Sequence, residues 1–329
     1  MEFKIALSTC WNSHRHEDGY SMLKEIAELG FNRVELSHGT RFSLIPGIMK
    51  AYEEGWMKVG SLHNFCPLPP GITGSAPNLF LPTSKDAPER NLWHKYTLQT
   101  LDFAARFQAK RVVVHLGSVS FFWLDPVKKL EDYAHYLPQE RRAELLKDSR
   151  YQYLLSCAMG ELRQKAPHAM ERLYNSLDRI IPEAQKRGIR LGFENREDLR
   201  ELPLDAEMAA LVARYIPTEA VGYWHDAGHA QLKEDAGVLR VADHLKINAN
   251  YLIGWHLHDV HLGKDHRALG TGHVNFNLLR SYMRPEHNFT LELSPSLKPQ
   301  EVLSSKAFLE NLLNAPAADQ SSVDAGPRA

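Results

Sequence analysis

The chain has 329 residues, 43% of them hydrophobic and 24% charged, with a formal net charge of −1. That length holds one large α/β barrel or two medium domains, and the near-neutral charge weighs against nucleic acid or an anionic membrane surface as partner. No apolar run reaches the ~18–20 residues needed to span a bilayer. The opening MEFKIALSTCW lacks the regions of a secretory leader, and Cys10, Cys66 and Cys157 show no pairing or zinc-like spacing, so a reduced, cytoplasmic protein is expected.

The first strand is expected at Phe3–Thr9, followed by a helix over Gly19–Leu29 that stops at Gly30. Arg33–Leu36 reads as a second strand and Val59–His63 as a third, which runs into the proline- and glycine-rich loop Asn64–Gly74. Glu89–Phe107 is amphipathic and helical. Arg111–His115 is a fourth strand, and its β-branched run fits a strand buried on both faces. A helix over Ala169–Arg187 precedes strands at Ile189–Glu194, Val221–Asp226, Leu252–His258 and Phe289–Glu292. Eight strands alternating with helices predict a closed (β/α)₈ TIM barrel over residues 1–313. An open doubly wound sheet finds no support, because no Gly-rich phosphate fingerprint follows the first strand. Ser118–Pro167 is too long for a loop and has helical patterning, which predicts a helical insertion after strand four. The tail, 314–329, is small, polar and proline-containing, and is expected to be disordered.

The strand ends carry the chemistry. Glu194, Asp226, His256 and Glu292 each close an apolar run. In a barrel those ends meet at one mouth. Buried carboxylates are costly unless paired or metal-bound, so three of them joined by a histidine at equivalent positions point to a divalent metal. For one strand-end glutamate alone, a structural ion pair would be the better reading. In a strand, His256 and His258 share a face; His256 is the favoured ligand, and His258 fits a supporting or core role. His63, His115, His229 and His266 form a candidate outer ring that could hold substrate or further metal, and Lys264 and Arg267 are candidate substrate-binding residues. His14, His16, His168, His244 and His287 read as surface residues.

VVVHLGS, GFEN, HDAGH, HLHD followed by DHRALGTGHVNF, and LEL together resemble the xylose isomerase-like TIM barrels, the superfamily of sugar phosphate isomerases/epimerases and endonuclease IV. In its ketose 3-epimerase branch, the residues matching Glu194, Asp226, His256 and Glu292 bind one divalent metal, and the residue matching His229 contacts substrate. In its endonuclease IV branch, three zinc ions also use the residues matching His63, His115, His229 and His266. The present chain departs from that branch by having Lys264 where an aspartate is usual and Thr271 where a glutamate is usual.

The resemblance implies a metal-dependent isomerase or epimerase acting on a small carbohydrate-like polyol. Glu194 and Glu292 would be its catalytic acid and base, passing a proton through a metal-stabilised enediolate. Mn²⁺ or Mg²⁺ suits three carboxylates and one imidazole, while the extra histidines shift preference toward Zn²⁺ or Co²⁺. The competing expectations are a multinuclear-zinc phosphodiesterase resembling an abasic-site endonuclease, and a barrel that serves only as a partner-binding scaffold. A homo-oligomer is compatible with either enzyme.

Overall fold

The computed structural model describes residues 3–136 and 144–315. Eight short strands pair in parallel: β1 (Ile5–Ser8), β2 (Arg33–Leu36), β3 (Lys58–His63), β4 (Arg111–Val114), β5 (Arg190–Glu194), β6 (Val221–Asp226), β7 (Leu252–Leu257) and β10 (Asn288–Leu291). They close into a barrel in the order β1-β10-β7-β6-β5-β4-β3-β2. Parallel neighbours cannot be joined by tight turns. Helices therefore carry the crossovers, among them Gly19–Glu28, Ile45–Glu53, Ala87–Arg106, Ser149–Lys186, Met208–Tyr215 and Val241–Asn248, with Pro299–Asn314 closing the ring. The expected (β/α)₈ architecture is the observed one.

The strand pleat decides what enters the barrel. Side chains alternate across a strand, so Trp224 and Asp226 of β6 share the inner face while Tyr223 and His225 turn outward. Trp224 packs with Val113 and Ile253 in a small interior core beneath the mouth. Its indole fits because β5 and β7 are bare there: a Cβ at Gly192 would lie 2.9 Å from Trp224, and one at Gly254 would lie 2.1 Å from it. The larger core lies outside the strands, where residues such as Phe193, Tyr223 and Trp255 meet the helices.

Two elements differ from the sequence expectation. The helix expected from Ala169 begins at Ser149, with Asp148 capping Arg150 N and Tyr151 N. It runs on through Pro167 because Tyr151, Leu154, Leu155, Ala158, Leu162, Ala166, Ala169, Met170 and Leu173 keep one continuous buried stripe across the proline. Among the described residues, the segment between β4 and this long helix holds the helix Pro126–Tyr136, which packs on it, and a 3-10 turn at Leu145–Lys147, while residues 137–143 lie outside the described residues. The Tyr151 hydroxyl ties the long helix to the barrel by donating to Ala236 O at 2.9 Å. The second difference is at β7, which ends at Leu257 rather than His258, because Asp259 opens an antiparallel hairpin of β8 (Asp259–His261) and β9 (Lys264–Arg267). The expected disordered tail falls, from residue 316 onward, outside the described residues.

Candidate active site

At the C-terminal mouth, Glu194, Asp226, His256 and Glu292 bring one ligand atom each within 4.8 Å of one another, all buried. His256 Nδ1 lies 2.6 Å from Glu194 Oε1, 3.0 Å from Glu292 Oε2 and 3.8 Å from Asp226 Oδ2. Its other nitrogen, Nε2, lies 2.9 Å from Glu35 Oε1. Each nitrogen thus faces a carboxylate, which only a doubly protonated ring satisfies. Burial opposes that charge, but Glu292, Glu35 and Glu194 raise the His256 pKa well above its ordinary value. For Glu194, burial alone would raise the carboxyl; the Arg196 and His256 cations hold it well below the usual carboxylate range. Glu292 is depressed in the same direction, burial being outweighed by His256.

The outer ring gathers around the same carboxylates. His115 Nε2 lies 2.9 Å and His63 Nε2 3.5 Å from Glu194 Oε2. In each ring the other nitrogen is already engaged, His115 Nδ1 by Asn78 Oδ1 at 2.8 Å and His63 Nδ1 by Asn64 O at 3.0 Å. The Asn78 amide is oriented by donating to Glu201 Oε1, so its oxygen accepts from His115. Burial and then Arg196 push the His115 pKa down to about 4. His229 Nδ1 lies 3.4 Å from Asp226 Oδ2, and its Nε2 lies 3.3 Å from Glu197 Oε2 and 3.7 Å from Asp265 Oδ2. His266 stacks on His258 at 4.2 Å between ring centroids. Lys264 is exposed on β9 and Arg267 half-buried; Asp265, not Lys264, is the residue of that strand that approaches His229.

Several residues at the site were not expected from the sequence. Glu35 is fully buried on the inner face of β2, where it accepts from Ser61 Oγ at 2.7 Å and faces His256. Arg196, with its side chain only 12% exposed, reaches Glu194 at 3.2 Å, Glu197 at 2.9 Å and Glu201 at 3.3 Å. His38 brings its ring to 4.7 Å from His63, and its buried Nδ1 has no hydrogen-bond partner among the described residues. His258, read from the sequence as a supporting or core histidine, holds Asp226 Oδ2 at 2.9 Å, and Asp226 pulls its pKa up to about 9 against the effect of burial. Gly228 makes that contact possible, since a Cβ there would lie 2.2 Å from the His258 ring. Two histidines read as surface residues are buried instead: His244 bonds the Tyr223 hydroxyl at 2.8 Å, and His287 accepts from Trp255 Nε1 at 3.2 Å.

The fold has relatives of known structure. The model of the xylose isomerase-like TIM barrel family matches residues 23–310. The chain belongs to that family. No curated protein matches it by sequence. Among solved structures, a D-tagatose 3-epimerase-like protein is 18% identical, with a TM-score of 0.66 over 94% of this chain and 97% of that one. The 3-keto-D-glucoside 4-epimerase of E. coli is 16% identical, with a TM-score of 0.62 over 94% and 100%. An L-ribulose 3-epimerase is 14% identical, with a TM-score of 0.64 over 95% of each chain. At these identities the likeness is one of fold.

The donor set of this family member fits a divalent cation. Three buried carboxylates converging on one point repel each other unless positive charge stands among them, and His256 Nδ1 points to where that charge belongs. Glu35 on His256 Nε2 stands where the carboxylate–histidine support of a ligating imidazole would be. Glu35→Gln keeps the shape and removes the charge; it is expected to weaken Mn²⁺ binding by roughly 10- to 100-fold. Unchanged affinity by titration calorimetry would rule that support out.

Proposed function

We propose that this barrel is a divalent-metal-dependent sugar isomerase or epimerase in which Glu194, Asp226, His256 and Glu292 hold one cation, and Glu194 and Glu292 move the proton. The observation that carries the reading is the pair of carboxylates meeting His256 Nδ1 from two different strands, Glu194 at 2.6 Å and Glu292 at 3.0 Å. A cation bound there would polarise the carbonyl of a ketose-like substrate. One glutamate removes the proton from the carbon beside that carbonyl, giving an enediolate. The other, once it has taken up a proton from solvent, returns it, to the opposite face in epimerisation or to the neighbouring carbon in isomerisation, while the first releases its proton to solvent. Both carboxylates are held ionised, so either can act as the base. Arg196 braces the far oxygen of Glu194 and fixes its aim. His229, which lies beside Asp265 and Glu197 at the mouth, suits the substrate hydroxyls, and Arg267 and Lys264 remain proposed substrate contacts.

A second cation has one observation in its favour. His63 and His115 both turn Nε2 toward Glu194 Oε2 with Nδ1 already engaged, as metal-ligating histidines do. The Arg196 guanidinium beside the same oxygen supports the single-metal reading, because it supplies positive charge there already. The phosphodiesterase alternative needs several metals. The deciding experiment counts metal equivalents in the purified protein and follows solvent deuterium into a panel of ketoses and inososes. One equivalent with incorporation supports the proposal. Three zinc ions, or no incorporation into any of the panel, would sink it.

Binding should also release protons. His256 must lose its Nδ1 proton to ligate, and its pKa is raised. Metal affinity is therefore expected to rise with pH, by about tenfold per unit while that group stays protonated, and to fall as the solution is acidified. Calorimetry in two buffers of different ionisation enthalpy reads the proton count. Identical heats in both buffers would contradict it.

A further inference from the structure

The helices after β4 do more than cap the barrel. Between them and the mouth lies a cleft of ≈ 980 Å³, at the upper end of the range for small-molecule sites. Leu130, Leu146, Leu199, Leu262 and Tyr151 line it, and Glu197 stands in its wall. The same Glu197 carboxylate lies 3.3 Å from His229 and 2.9 Å from Arg196, so the cleft and the active site share a wall residue.

Two of its leucines are placed at a cost. Leu262, at the tip of the β8–β9 hairpin, is 64% exposed and has φ +51°. A leucine in left-handed backbone costs about 1–2 kcal/mol, where Gly or Asn would sit more easily. Leu146 is 46% exposed and leans on Gly237, which has φ +74° and whose Cβ, if present, would lie 2.8 Å from Leu146. Neither leucine is needed to fill the main core. Both present apolar surface to a cleft that shares Glu197 with the active site.

A free sugar gains little from such a wall, because it carries a hydroxyl on almost every carbon. An apolar substituent on the sugar gains about 25 cal/mol for each Å² it buries there. We propose that this cleft is a subsite for an apolar or aromatic aglycone, so that the substrate is a glycoside whose sugar ring carries a keto group rather than a free monosaccharide. The proposal rests on the isomerase/epimerase reading for what happens at the sugar, while the subsite itself is read by binding alone.

The test is calorimetric binding of 4-nitrophenyl β-D-glucopyranoside and methyl β-D-glucopyranoside to the Mn²⁺-loaded full chain. The wild type is expected to bind the aryl glycoside at least roughly tenfold more tightly. Leu146→Asp and Leu262→Asn each change an exposed side chain, and the second suits its backbone. Each is expected to shrink that preference at least roughly threefold with metal content unchanged. Equal binding of the two glycosides, no binding of either, or an aryl preference untouched in both variants overturns the proposal. The sugar chemistry fails separately: an aryl preference that persists while neither the ketoses and inososes nor a keto derivative of the aryl glycoside takes up solvent deuterium leaves the subsite standing and removes the isomerase/epimerase reading.

Discussion

Glu194→Gln and Glu292→Gln are each expected to reduce solvent-deuterium exchange into the substrate by about 10²–10⁴-fold, the usual worth of a positioned general acid or base. The two carboxylates meet one imidazole nitrogen, Glu194 at 2.6 Å and Glu292 at 3.0 Å, so a proton removed by one can be replaced by the other across a bound sugar. The amide is nearly isosteric and keeps an oxygen toward His256, so folding is expected to survive. The variants should differ in a second readout. Glu194 also faces His115, His63 and Arg196 through its other oxygen, so Glu194→Gln removes charge from all three. Glu292 is paired mainly with His256. Glu194→Gln is therefore expected to lower melting temperature and metal affinity more than Glu292→Gln does. A Glu292→Gln enzyme that exchanges deuterium at the wild-type rate would take Glu292 out of the chemistry.

The parts of the site legible in the sequence are those where one strand carries both its apolar run and its polar end. LGFEN, YWHDAGH and WHLHD announce β5, β6 and β7 and their ligands together, and barrel closure does the rest. Glu35 lies in RVEL, where a glutamate between apolar residues looks like an ordinary solvent-facing strand position. Only closure sets it against His256, 221 residues away in sequence. Arg196 is hidden in ENREDLRE, whose mixed charges read as a solvated loop; its side chain turns inward because Glu194, Glu197 and Glu201 surround it. His244 and His287 lie on or beside exposed-looking helical stretches. Their burial comes from the outward-facing Tyr223 and Trp255 of the barrel wall, which need polar partners of their own. Pro167 looks like a boundary in the sequence, but the long helix runs through it because the hydrophobic stripe on both sides outweighs the lost backbone bond.

Arg196→Met is expected to destabilise the fold by about 3–5 kcal/mol, the usual cost of removing one partner from a buried ion pair. It leaves Glu194, Glu197 and Glu201 without their shared cation. Part of the loss should be recovered at low pH: burial already pushes the Glu197 carboxyl up to about 7 even with Arg196 beside it, and without the guanidinium it takes up a proton more readily. Denaturant unfolding at pH 6 and pH 8 reads this, the larger loss falling at pH 8. The same variant tests how many metals the site holds. A divalent ion bonded to Glu194 Oε2 at ~2 Å would stand within roughly 5 Å of the guanidinium, a repulsion on the order of 7 kcal/mol at an effective dielectric near 20. His63 and His115 already turn Nε2 to that oxygen, so the guanidinium is the obstacle rather than any lack of ligands. With excess Zn²⁺, the wild type is expected to bind one ion at the Glu194–Asp226–His256–Glu292 centre. Arg196→Met is expected to bind one more than the wild type, with a rise in stability that the wild type does not show. Equal stoichiometry in the two proteins would mean that Arg196 does not set the metal count.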